Sequence, residues 1–252
     1  MMQDKDCIRE VIDNCEGLAT ISLWGYTPIY GIGAIRQIEL IRELIPDWNV
    51  LICVSKTFCY PYNLNDVSDA CKLYKNAAIV NVESYQDNFP LCIVKSGMFW
   101  RFAVSSICGD KPIRSFDADC RLNEREVQYM KLWLQSDKQY FSVRDHPSQK
   151  IPNGSILGLR GDKSLFLNRM YKYLHEFGSI SEQYGQDESF LSNFFAETSN
   201  SWYLYDRCLP SSNTNVYIPR LDRNTFIGMG MTEENKPLHQ STLIDLNRMD
   251  PQ

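Results

Sequence analysis

The feature that most constrains this chain is the alternation of apolar runs with helix-period segments between Leu18 and Val82. Leu18 to Trp24 reads as a strand, and Gly25-Tyr26-Thr27-Pro28 as the loop that leaves it. From Gly31 to Ile45 the apolar residues Ile35, Ile38, Ile41 and Leu44/Ile45 recur at the spacing of one helix face, and Pro46 ends the segment. Asn49 to Ser55 is a second apolar strand. Asn65 to Lys75 reads as a helix buried through Val67, Ala70, Cys71 and Tyr74, and Ala77 to Val82 as a third strand. Parallel strands need long crossovers, and a sheet built that way is covered by helices on both faces. The expected fold class is therefore α/β, with a mostly parallel central sheet flanked by helices.

The rest of the chain extends the pattern. Leu91 to Cys108 is apolar and mostly helical in character, and Pro112 to Phe116 is a short strand that ends at two acids. In the helix that follows, Asn123 is placed to cap and Glu126 stands in capping-box register. Val127, Met130, Trp133 and Leu134 form its apolar stripe. Tyr140 to Val143 is a strand that meets Arg144-Asp145-His146-Pro147, and Lys150 to Gly161 reads as a loop rich in Gly, Pro, Asn and Ser. Helices are expected from about Lys163 to Phe177 and from Glu188 to Glu197, with short strands and turns from Ser201 onward. No repeat or linker divides the chain, so residues 1–245 are expected to form one domain and residues 246–252 a loose tail.

A chain of 252 residues can bury a core without disulfide staples. Its nine cysteines are scattered and contain no CxxC pair, which suits reduced thiols and a cytoplasmic setting rather than a zinc site. With three histidines (His146, His175 and His239), a metal here is expected to be bound by oxygen. The 26 Lys and Arg against 31 Asp and Glu give a formal charge of -5, which argues against a nucleic-acid partner. The amino terminus has no leader-like apolar stretch, and no run approaches the roughly 20 residues of a bilayer span. Peripheral membrane contact, through a partner enzyme or a lipid-linked substrate, stays compatible with all of this.

The sharpest local feature is Asp117-Ala118-Asp119. Two acids two residues apart at a strand end can present oxygens to one hard divalent cation, Mn2+ or Mg2+, if the chain turns there. Such cations take further ligands from waters and substrate phosphates. The position also fits the rule that open α/β sheets bind at the carboxyl ends of their strands. The same acids can equally serve only to offset the dipole of the following helix.

The run Phe116-Asp117-Ala118-Asp119-Cys120-Arg121-Leu122-Asn123-Glu124-Arg125-Glu126 resembles the "DxDSRL..RE" segment of a bacterial and large-DNA-virus family of sugar transferases. Met98-Phe99-Trp100-Arg101-Phe102 is similar to that family's "M.WRF", and Trp133-Leu134-Gln135-Ser136 to its "W..S". Val143-Arg144-Asp145-His146-Pro147 is similar to its "MRDHP". Gly154 to Gly161 resembles its glycine-rich "GGMWGxRG" loop, and Tyr184 to Leu191 its "YG.DQ.FL". Leu23-Trp24-Gly25 with Tyr30 and Gly33-Ala34-Ile35 resembles its opening segment, and Phe226-Ile227-Gly228 its "FVG". The segments run in the same order over roughly residues 20 to 235. Phe116, Cys120, Ser155, Ile156, Leu157 and Glu188 depart from the family pattern, while both acids of the DxD are kept.

The resemblance implies a GT-A-like, Rossmann-like fold that binds a nucleotide diphosphate sugar donor and an oligosaccharide or glycan acceptor, in surface glycan or polysaccharide synthesis. In that reading Asp117 and Asp119 hold the cation, with His239 as a late ligand. Arg101, Arg121 and Arg144 attend the phosphates, and Trp24, Gly25 and Tyr30 lie at the nucleotide. Gly154 and Gly158 belong to a loop over the donor sugar. Asp187 is the general base or orients the donor, and Asp145 and His146 shape the acceptor side.

Each residue also has an ordinary reading: Asp187 as a helix cap, Trp24 and Tyr30 as core aromatics, and the glycines as turns. Other classes use similar residues. A glycoside hydrolase needs paired carboxylates without a nucleotide. A metal-dependent nucleotidyltransferase releases diphosphate. A non-catalytic carbohydrate- or nucleotide-binding protein of the same fold needs no cation.

Overall fold

The computed structural model of the chain describes residues 5–25, 28–59, 61–83, 96–177, 185–208 and 226–238. A seven-stranded sheet carries them, built from β1 (Gly17–Gly25), β2 (Trp48–Cys59), β3 (Ala77–Asn81), β4 (Ile113–Phe116), β5 (Tyr140–Arg144), β6 (Leu157–Leu159) and β7 (Trp202–Asp206). The spatial order is β3-β2-β1-β4-β6-β5-β7. All pairings are parallel except those of β6, which runs against β4 and β5. The expected mostly parallel sheet is present, with one reversed strand.

Among the described residues, seven helices cover it: α1 (Lys5–Asp13), α2 (Pro28–Leu44), α3 (Pro61–Tyr74), α4 (Gly97–Ala103), α5 (Glu124–Gln135), α6 (Ser164–Phe177) and α7 (Gln186–Thr198). Strand residues alternate between two cores, as period-2 geometry requires. Ala19, Ile21 and Leu23 of β1, with Val50, Ile52 and Val54 of β2, pack under α2, α3 and α5. Leu18, Leu51 and Cys53 face the opposite core, with Ile8 and Val11 of α1, Phe99 and Phe102 of α4, Phe166 of α6, and Phe190 and Phe194 of α7. Fully burying one such side chain contributes about 1.5–3 kcal/mol, so the two cores hold the sheet between two helical layers.

Two local expectations need correcting. The Lys150 to Gly161 stretch is not wholly loop. Residues Gly154–Ile156 form a 3-10 turn and Leu157–Leu159 form β6. Three residues are too few to show alternation, and this strand exists because β4 and β5 offer edges on both its sides. The Leu91 to Cys108 stretch, over its described part, is mostly helical as expected: α4 runs directly into a 3-10 turn at Val104–Ile107. Finally, only half of the capping box forms. Asn123 accepts from Glu126 N at 3.0 Å, but the Glu126 carboxylate is fully buried and pairs with Arg114 of β4. Burial pushes that carboxyl up while Arg114 pulls it down.

Seven described cysteines are free thiols. Burial pushes those of Cys71 and Cys108 up to about 12, so they act as small apolar side chains. Among the described residues, no helix is long and apolar enough to cross a membrane.

Candidate active site

β4 ends at Phe116, and the chain turns at once: Cys120 N donates to Asp117 O at 3.1 Å. That turn brings carboxylate oxygens of Asp117 and Asp119 and the Cys120 sulfur within 4.8 Å of one another. Gly33 of α2 makes room for it, because a Cβ there would overlap the Ala118 carbonyl. A glycine inside a helix is unfavourable by roughly 1 kcal/mol against alanine, and this close approach is the reason it is there. From the other side, Met231 N donates to Asp119 O at 2.9 Å and Cys120 Sγ to Gly228 O at 3.3 Å. The carboxyl-terminal segment thus clamps the turn.

Arg101 organises the carboxylates. Its backbone is fixed to β1, with its N–H donating to Ser22 Oγ at 2.9 Å and its carbonyl accepting from Thr20 Oγ1 at 2.8 Å. Its buried guanidinium pairs with Asp117 through one nitrogen and with Asp187 Oδ2 through the other, at 2.7 Å. Burial pulls the guanidinium down, but Asp117 and Asp187 outweigh it and the net shift is upward. Burial pushes the Asp187 carboxyl up, against the opposing pull of Arg101. The Asp119 carboxyl is pushed up to about 6, first by burial and then by the charge of Asp117.

These groups line a cleft of about 410 Å³ at the carboxyl ends of the strands. Its wall contains Trp24, Tyr30, Arg101, Asp117, Asp119, Gly154 and Asp187 of the expected site residues, and also Ser22, Gly97, Asn153, Ser155, Glu188 and Leu238. Trp24 falls at an irregularity in the β1–β2 register between Leu23 and Gly25, which turns it out of the ladder. Gly97 lets the start of α4 abut its ring, and Gly154 lies directly over the Arg101–Asp187 pair. Ser22 and Thr20 were missed from the sequence. Their signal is a pair of polar residues two apart inside an apolar strand.

Other expected residues lie elsewhere. Gly25 closes β1. Arg121 donates to Cys120 O at 2.8 Å and to Asn235 Oδ1 at 3.2 Å, tying the turn to the carboxyl-terminal segment. Gly158 lies in β6 against the Trp133 ring and the Cβ of Phe141. Arg144 pairs with Asp206 at 3.1 Å. Asp145 is fully buried; it pairs with Arg125, has Arg207 at 3.7 Å, and accepts from Ile227 N at 3.1 Å. The His146 ring stacks on Phe226 at 4.6 Å, with Nδ1 2.7 Å from Ser148 Oγ. None of Arg121, Gly158, Arg144, Asp145 and His146 lines the cleft. His239 and the 246–252 tail lie outside the described residues.

The donor set fits a hard divalent cation. Two carboxylates from one turn stand close enough to repel, and a cation between them would relieve the repulsion that raises Asp119. Cys120 Sγ lies in the same cluster. Its thiol is buried, pushed well above its ordinary value by burial and by Asp119 and Asp117, and donates to Gly228 O. It therefore braces the turn.

No family model matches the chain, and no curated protein matches it in sequence. Solved structures do match. The galactosyltransferase LgtC, in complex with donor and acceptor sugar analogs, is 12% identical, with a TM-score of 0.50 over 92% of this chain and 94% of that one. The 4-diphosphocytidyl-2C-methyl-D-erythritol synthase from Anaerococcus prevotii is 10% identical, with a TM-score of 0.48 over 95% and 97%. Glucosyl-3-phosphoglycerate synthase from Mycobacterium tuberculosis is 11% identical, with a TM-score of 0.46 over 84% and 76%. At this identity the likeness to LgtC is one of fold alone: the two chains share an α/β architecture, here a mostly parallel seven-stranded sheet between helical layers.

Proposed function

We propose that this protein is a metal-dependent glycosyltransferase that moves a sugar from a nucleotide diphosphate sugar to a hydroxyl of a carbohydrate acceptor, in the synthesis of a surface glycan or polysaccharide. One observation carries the reading. At the carboxyl end of a central strand, a tight turn holds Asp117 and Asp119 at the wall of a cleft, with a buried arginine joining the first acid to Asp187. The polysaccharide setting rests on the resemblance of the chain's motifs to the sugar-transferase family.

In this reading Asp117 and Asp119 hold Mn2+ or Mg2+ together with the donor diphosphate. When bound, the cation acts as a Lewis acid that offsets charge on the leaving diphosphate. Trp24 and Tyr30 offer partly buried aromatic surface to the nucleoside. Arg101 fixes Asp187 so that its carboxylate can orient the donor sugar under Gly154. The buried contacts of Arg144, Asp145 and His146 act at a distance, holding the ends of β5 and β7 behind the cleft. His239 follows Leu238, a cleft residue, and is proposed as a further ligand of the cation.

A thermal-shift panel of UDP-, GDP-, CMP- and dTDP-sugars, with and without Mn2+, tests this. At least one pairing should raise the wild-type melting temperature and leave the Asp117→Ala/Asp119→Ala double variant unmoved. If every pairing shifts the two proteins alike, the transferase reading is wrong. Release of a nucleoside diphosphate, rather than inorganic diphosphate, separates it from a nucleotidyltransferase.

A further inference from the structure

We propose that Glu188, rather than Asp187, is the general base that takes the proton from the acceptor hydroxyl, and that Lys150 is its positioning residue; this assignment rests on the transferase reading above. Both acids stand in the first turn of α7, which enters the cleft through Gly185 in the left-handed conformation. Consecutive helix positions point about 100° apart, so the two carboxylates cannot share one environment.

Asp187 turns inward. Its side chain is 8% exposed, its Oδ2 accepts from the buried Arg101 at 2.7 Å, and Gly154 packs directly against that oxygen. A carboxylate held this way is well placed to orient a bound group and poorly placed to meet an incoming hydroxyl. Glu188 turns to the rim. It lines the same cleft, its side chain is 27% exposed, and its Oε2 sits 3.0 Å from Nζ of Lys150, itself 60% exposed. A general base has to come within hydrogen-bond reach of the proton it removes. Of the two acids, Glu188 is the one with both an open approach and a path for the proton to solvent.

The step balances as follows. The acceptor O–H bond breaks and its proton moves to a Glu188 carboxylate oxygen. The acceptor oxygen forms a bond to the anomeric carbon of the donor sugar. The bond from that carbon to the diphosphate breaks, and its electron pair leaves with the nucleoside diphosphate. The Glu188 proton then passes to water. Lys150 takes no part in the transfer; its ammonium holds the carboxylate at the rim.

The test uses the full chain, Mn2+, and a panel of UDP-glucose, UDP-galactose, GDP-mannose and dTDP-glucose with a mixture of methyl glycosides as acceptors. Transfer is followed by release of the nucleoside diphosphate, and donor binding by calorimetry. Glu188→Gln should bind the donor within about threefold of wild type and lose transfer by roughly 100-fold or more, the scale of a lost general base. In Glu188→Ala, added formate should restore transfer by accepting the proton in place of the side chain, while formate does nothing for Asp187→Ala. Lys150→Ala should lower kcat severalfold at unchanged donor KM, and Lys150→Arg should recover it. Transfer by Glu188→Gln at the wild-type rate, or formate rescue of Asp187→Ala alone, overturns the assignment while the transferase reading stands. No binding of any sugar nucleotide by the wild type overturns both.

Discussion

Two clusters of charge stand at the carboxyl ends of the strands in this protein, and they are built to opposite plans. In the cleft, Asp117 and Asp187 pair with one guanidinium, that of Arg101, while Asp119 stands beside Asp117 and Glu188 lies at the rim. At the ends of β5 and β7, three guanidiniums (Arg125, Arg144 and Arg207) gather around two carboxylates, Asp145 and Asp206. The first cluster opens on a cleft of about 410 Å³. Asp145 and Asp206, at the heart of the second, are almost wholly buried. Asp117 and Asp145 each follow a strand and each fall in a segment of the sugar-transferase resemblance, so sequence makes both of them candidates for the site. The difference is that an excess of acid next to open space invites a cation, whereas buried ions matched to one another hold the chain together.

The strongest way to break this contrast is Asp145→Ala. Removing one partner from a buried ion network leaves the others uncompensated, which destabilises by about 3–5 kcal/mol. The melting temperature should fall by roughly 10 °C, while Mn2+-dependent nucleotide binding by the protein still folded at low temperature stays near wild type. If nucleotide binding is lost with no change in melting temperature, the second cluster belongs to the site after all.

Gly33→Ala tests the clamp on the DxD turn. The new Cβ would overlap the Ala118 carbonyl, so α2 or the turn has to move. We expect a loss of about 1–3 kcal/mol in urea unfolding, the range of an overpacked core, together with weakened Mn2+-dependent nucleotide binding.

Asp119→Asn should have a smaller effect, and of the opposite sign on stability. The wild-type carboxyl is held near 6 by burial and by Asp117, so ionising it at pH 8 opposes folding. The metal-free variant should melt slightly higher at pH 8 and show no response to Mn2+. A variant that melts lower than wild type would mean that the Asp119 charge stabilises the turn.

The pH dependence gives the finest test. A folded-state acid held above its ordinary value of 3.8, here at about 6, makes the folded state bind the extra proton between those pH values. Its contribution is therefore most favourable at low pH and declines as pH rises from about 4 to about 6. The difference in stability between wild type and Asp119→Asn, both metal-free, should shift in favour of the variant over that window and be flat above it. A flat difference throughout would remove the strained acidic pair from the description of the site.

Much of the fold can be read from the chain because its signal is periodic. The alternation of Leu18 with Ala19, Ile21 and Leu23, and the helical spacing of Ile35, Ile38 and Ile41, each bury a defined face. The β6 strand lacks such a signal: Leu157, Gly158 and Leu159 pair because two neighbouring strands leave edges there. Glu126 is similar. Its spacing from Asn123 points to a capping box, but the buried guanidinium of Arg114 is a stronger claim on its carboxylate than the Asn123 N–H.

Of the site, the sequence by itself determined the acidic pair, its place at a strand end, and the arginine and aromatics of the segments around it, because local order along the chain fixes all of these. Only the tertiary structure decided which charges face open space. Arg101 lies 16 residues from Asp117 and 86 from Asp187, yet its one guanidinium reaches both. Asp145 follows its strand as Asp117 follows β4, yet it is sealed beneath Ile227 and two arginines. Whether a carboxylate meets a ligand or a buried guanidinium depends on what the rest of the chain packs around it. No spacing within a segment encodes that.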